Sequence, residues 1–63
     1  MEMCKCILVF PDRSVDMEAL PLIPRVGEFI QRKGERLHIL AVTYDTTSKP
    51  VNILLDVEVL SSQ

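Results

Sequence analysis

Residues 24–45 read Pro24-Arg25-Val26-Gly27-Glu28-Phe29-Ile30-Gln31-Arg32-Lys33-Gly34-Glu35-Arg36-Leu37-His38-Ile39-Leu40-Ala41-Val42-Thr43-Tyr44-Asp45, and this pattern decides the fold. Gly27 permits a bend or a bulge, after which residues 28–32 form a short strand. Lys33-Gly34, or Gly34-Glu35, supplies a two-residue hairpin turn. Residues 36–45 make the longest β candidate in the chain. Its centre, Ile39-Leu40-Ala41-Val42, is apolar on both faces. That suits a strand buried on both sides, or one curled so that each face is covered at a different point. Strict alternation places Leu37, Ile39 and Ala41 on one face and Leu40, Val42 and Tyr44 on the other.

Two further strands flank this hairpin. Residues 3–10 (Met-Cys-Lys-Cys-Ile-Leu-Val-Phe) are rich in β-favouring side chains and stop at Pro11, which cannot extend a central strand. One face carries Cys4, Cys6, Leu8 and Phe10, the other Met3, Lys5, Ile7 and Val9. Residues 51–60 show the clearest alternation, with Val51, Ile53, Leu55, Val57 and Val59 opposite Asn52, Leu54, Asp56, Glu58 and Leu60. Pro11-Asp12-Arg13-Ser14 is a turn by its chemistry, as is the polar loop 45–50. Between them, Val15-Asp16-Met17-Glu18-Ala19-Leu20 satisfies two rules at once. Ser14 with Asp16 and Glu18 suits the first turn of a helix, while the alternation suits a strand. The reading favours one or two helical turns, or an irregular arm, over residues 12–24. Pro21-Leu22-Ile23-Pro24 is then extended, because a residue before a proline is pushed away from the α region, so that Leu22 or Ile23 is pinned onto the core. Residues 61–63 are expected to fray.

These elements predict a mainly β domain of four to five strands, curled into a small barrel so that few strand edges remain open. The sequence Gly27-Glu28-x-Ile30, then Gly34, His38-Ile39-Leu40-Ala41-Val42 and Val51-x-Ile53-x-Leu55 resembles a pattern of SH3-like barrels. There a glycine-acid-x-aliphatic strand leads into a long strand and a final alternating one. The resemblance spans residues 24–60 and implies an SH3-like or OB-like barrel, not an activity. Domains of that look serve as protein-binding modules, as nucleic-acid-binding modules, and as small proteins of phages and mobile elements. Recognition of proline-rich peptides needs a surface cluster of aromatics, and this chain has only Phe10, Phe29 and Tyr44.

A chain of 63 residues is one domain near the lower limit for folding alone, burying only about 60% of the surface its unfolded form exposes. Domains this small usually lean on disulfides, a metal or oligomerisation. A composition 48% hydrophobic is enough for a core, and argues against disorder. The net charge of −2 argues against nucleic-acid binding by the whole surface, though it permits a local basic patch. No run reaches the ~20 apolar residues of a membrane-spanning helix. The N-terminal residues do not read as a signal peptide. Two cysteines without such a signal point to a reducing compartment, by default the cytoplasm.

Four features carry possible chemistry. Cys4 and Cys6 share a face of a strand, but a structural zinc needs four ligands, usually with wider cysteine spacing. They read as small core residues, and no metal or cofactor is expected. His38, the one histidine, has no spacing that ties it to a nucleophile, and the small domain leaves little room for a pocket of about 300 Å³; no catalytic residue is expected. Arg25, Arg32, Lys33 and Arg36, set against Glu28 and Glu35, give the hairpin a basic tip. Such a tip suits an acidic protein surface or phosphates. Lastly, Ile7, Val9, Leu40, Val42, Tyr44 and Leu54 exceed what one small interior can hold, even with part covered by the arm. Surplus apolar surface of this kind marks an interaction site. The expected function is therefore a non-enzymatic interaction module, self-associating or docked on a larger protein, such as a small accessory or inhibitor protein. The alternative is a nucleic-acid-binding barrel using residues 32–36.

Overall fold

A computed structural model describes residues 3–60; the expected fraying at 61–63 lies outside the described residues. The chain forms β1 (Cys4–Val9), β2 (Val15–Leu20), β3 (Phe29–Arg32), β4 (Glu35–Asp45) and β5 (Asn52–Leu60), with no helix among the described residues. They make one curled sheet in the order β2-β1-β5-β4-β3. All neighbours are antiparallel except β1 and β5, which run parallel. The mainly β, barrel-like architecture agrees with the sequence. The barrel is a half-barrel: β2 and β3 are its two edges and share no backbone ladder.

The alternation of β5 works as expected. Leu55 and Val57 are buried and Ile53 packs against the core, while Asp56 on the opposite face is exposed. Cys6 and Leu8 of β1, Ile30 of β3, and Leu37 and Ile39 of β4 complete the buried set. Cys4, Phe10, Leu20 and Val42 pack around them. The seven buried side chains among the described residues make a small core for a five-stranded sheet, so stability rests heavily on each one.

The turns follow from local chemistry. Lys33 (φ 49°) and Gly34 (φ 77°) both take the left-handed conformation, the signature of a type I′ turn, whose twist matches the strands it joins. At Arg25–Glu28 the Glu28 amide donates to the Arg25 carbonyl at 3.0 Å, with Gly27 at φ 93°, a conformation a type II turn reserves for glycine. In the first hairpin the Arg13 amide donates to the Phe10 carbonyl at 2.8 Å and the Phe10 amide to the Ser14 carbonyl at 2.9 Å. Pro11 occupies the first corner position. Asp12 Oδ1 accepts from the Ser14 amide and hydroxyl at 3.0 and 2.6 Å, and these bonds hold the Asp12 carboxyl below the usual carboxylate range.

Two expectations need correction. The helical or irregular arm at 12–24 is largely the strand β2, paired along its length with β1 from Val9↔Val15 to Cys4↔Leu20. Residues 12–14 belong to its turn and residues 21–24 remain irregular, with Leu22 exposed rather than pinned onto the core. Secondly, β4 carries a bulge between Ile39 and Ala41. One extra residue, Leu40, flips the faces of everything beyond it. Val42 now lies opposite Leu55 and Tyr44 opposite Ile53, on the same side as Leu37 and Ile39. Leu40, Val42 and Tyr44 are therefore not one face.

Candidate functional site

The inner face of the sheet is closed by one side chain. Arg32, at the end of β3, reaches across the open side of the half-barrel to β2. Its Nη2 donates to Asp16 Oδ2 at 2.7 Å and its Nη1 to Glu18 Oε1 at 2.9 Å. The guanidinium lies 5.8 Å from the Phe10 ring centroid, a cation–π contact over the mouth of the core. Only 12% of the Arg32 side chain is exposed. Its hydrogen bond holds the Asp16 carboxyl below its ordinary range, and the same bond raises Arg32. A strand is the only conformation that aims Asp16 and Glu18 the same way, since residues two apart diverge on a helix. This requirement settles the ambiguity of residues 15–20.

The same pairing turns the rest of β2 outward. Asp16, Glu18 and Leu20 face inward, so Val15, Met17 and Ala19 face solvent. Val15 and Met17 are 63% and 62% exposed. They do not cover the surplus apolar residues of β1 but extend them. Across the outer face one row runs Met17–Ile7–Leu54, the next Val15–Val9–Asp56, and a third pairs Ala19 with Lys5. Ile7, Val9 and Leu54 are half-buried by their neighbours and still present apolar surface. An open hollow of about 580 Å³, bounded in part by Met3, Lys5, Ile7, Met17 and Val51, continues this surface at one end. Another, about 560 Å³, lies between the 20–24 segment and Phe29. Both hollows are open surface depressions rather than enclosed clefts.

The sequence-predicted residues are dispersed. Ile7 and Val9 lie on the outer apolar face as expected. Val42 packs against the core, whereas Leu40 and Tyr44 are 45% and 54% exposed on opposite sides of the sheet because of the bulge. Of the basic cluster, Arg32 is committed to Asp16 and Glu18 and does not join the exposed tip. Arg25, Lys33 and Arg36 are exposed. The Arg25 amide donates to Glu28 Oε1 at 2.9 Å, within its own turn. Arg36 lies over Phe29 at 4.8 Å, and Phe29 stacks on His38 with ring centroids 4.9 Å apart. Cys6 is fully buried and Cys4 lies at the core margin, both as free thiols. Burial, with Cys4 beside it, pushes the Cys6 thiol up. Among the described residues no group of three or more histidine, cysteine or acidic side chains could hold a metal.

Val15, Met17 and Ala19 are the outer-face residues that sequence reasoning missed. The signal lay in Asp16 and Glu18, an acid pair two apart that matches one buried guanidinium. No family model, curated protein or solved structure matches the chain.

Proposed function

We propose that the chain is a cytoplasmic, non-enzymatic protein-interaction module that docks through the outer face of β2, β1 and β5. One observation carries this reading. Val15, Met17, Ile7, Val9 and Leu54 form neighbouring rows on a sheet face that no other part of the described chain covers. Contiguous apolar surface is costly to leave in water and typically marks a contact site. An accessory or inhibitor role on a larger protein, or self-association, both use such a face. The test is a photo-crosslinking residue placed at position 17. It should give a covalent protein adduct, while the same residue at Lys49 in the 45–51 loop should not. Absence of any adduct from position 17 would refute the reading.

A second reading rests on the outer face of the β3–β4 hairpin, where exposed Arg36 and Phe29 stack with half-buried His38 and the exposed Lys33 lies in the turn that joins the two strands. Aromatic and guanidinium planes next to a cation suit single-stranded nucleic acid. A titration with short oligonucleotides at two salt concentrations separates it from the first, because phosphate-driven affinity falls steeply with salt. No binding at low salt removes it.

A further inference from the structure

Resting on the protein-docking reading above, we infer that the partner seated on the outer face is a second copy of this chain, packed face to face about a two-fold axis along the Met17–Ile7–Leu54 row. The argument starts from charge. The outer face of β1 and β5 carries a cation, Lys5, in the row on one side of that line, and acids on the other side, exposed Asp56 in the adjoining row and Glu58 beyond it. An isologous interface must complement itself. An axis in the plane of the sheet and perpendicular to the strands lays the Val15–Val9–Asp56 row of one copy over the Ala19–Lys5 row of the other. Lys5 of each copy then sits over Val9 and one strand away from Asp56 of its mate, within reach of a lysine side chain. Successive rows lie about 6.6 Å apart, so the two Lys5 residues stay about 13 Å from each other, as do the two Asp56 residues. An axis along the strands would instead keep Lys5 in the same row as its copy. The charge pattern thus selects one axis and one partner.

Packing agrees with this choice. Met17, Ile7 and Leu54 meet their own copies on the axis, and Val15 meets Ala19. Small against large is how facing sheets interdigitate. The sheet curls across its strands, so the contact is a strip centred on β1. The unbranched Met17 and the longer Leu54 fill the flanks that curvature opens. A 63-residue chain with seven buried side chains among its described residues belongs to the size class that oligomerisation commonly stabilises. The strip is small by the standard of obligate dimers, which makes the association reversible.

Sedimentation equilibrium of the purified chain tests this, with a mass rising from monomer toward dimer between about 5 and 200 µM. Met17→Asp should weaken dimerisation at least tenfold without altering the circular dichroism spectrum. Lys5→Glu and Asp56→Lys should each weaken it about threefold, and the double variant K5E/D56K should recover most of the wild-type affinity. A monomer throughout the range, a dimer indifferent to Met17→Asp, or a double variant no better than the singles would overturn the two-fold arrangement. The docking reading fails separately. A monomeric chain whose position-17 crosslinker captures a different, larger protein loses the second copy but keeps the docking face.

Discussion

Strands β2 and β5 carry the same kind of pattern and use it in opposite senses. Both alternate apolar residues with acids or amides, and both lie in one sheet. In β5 the apolar set turns inward, burying Leu55 and Val57 and leaving Asp56 in water. In β2 the acids turn inward, toward Arg32, and Val15, Met17 and Ala19 are left outside. Alternation therefore specifies a strand, while the inward face depends on what waits there. For β5 it is a hydrophobic core, and for β2 a guanidinium that would otherwise be stranded over that core. A charge removed from water is tolerable only when paired and hydrogen-bonded.

The largest break in this comparison comes from truncating the inward residue of β5. Leu55→Ala should cost about 2–5 kcal/mol, enough to unfold much of so small a domain. Met17→Asp, a harsher chemical change in β2, should shift stability by no more than about 0.5 kcal/mol when melts are compared at a dilution that keeps the chain monomeric. Equal losses in thermal melts would show that β2 does not face outward.

Next is Arg32→Met, which keeps the hydrophobic stem and removes the charge. It leaves Asp16 and Glu18 facing a core without a counterion, and should cost about 1–2 kcal/mol, reduced from the buried-pair range because both carboxylates remain partly solvated. In a double-mutant cycle Arg32→Met and Asp16→Asn should be non-additive. Additivity would mean that the two side chains act independently.

The smallest effect is a pH dependence. The folded-state pKa of Asp16 is lowered, chiefly by its hydrogen bond from Arg32, so the unfolded chain binds its proton first on acidification. Its contribution is present above the ordinary carboxylate value of about 3.9 and is lost as pH falls through the lower folded value. Asp12 and Asp45 act in the same direction through bonds from Ser14 and Thr47. Denaturant midpoints measured from pH 6 to pH 2 should fall, with a shallower slope in Asp16→Asn. An unchanged slope would show that the Arg32 clasp does not hold the carboxylate.

Most strands were legible in the sequence because their signals are local. Residues 3–10 and 51–60 have β composition and period, and Lys33-Gly34 has the residues its turn needs. Residues 15–20 were not legible, because Ser14 and two early acids obey helix rules as well as strand rules. The deciding partner, Arg32, lies 14 and 16 positions away from the acids that it binds. The bulge at Leu40 was hidden for a different reason: in the run Ile39-Leu40-Ala41-Val42 every residue is apolar, so no polar mark shows where the alternation skips. Of the candidate site, Ile7 and Val9 could be found as surplus apolar residues of a recognisable strand. Val15 and Met17 could not, since their exposure depends on the inversion of β2. The basic tip was overcounted for the same reason, with Arg32 turned inward by those acids.

The parallel pairing of β1 with β5 has a consequence for the order of events during folding. Two neighbouring interior strands of the sheet are the first and last of the described elements, joined only after the whole intervening chain has been laid down. The β1–β2 and β3–β4 hairpins have short loops and can close early, each on its own. Neither holds a complete core, because Leu55 and Val57 arrive with β5. The last strand acts as the slat that joins two prefabricated halves. Its long-range closure should set the folding rate, and on the ribosome the two hairpins must wait as separate, partly apolar pieces until it emerges.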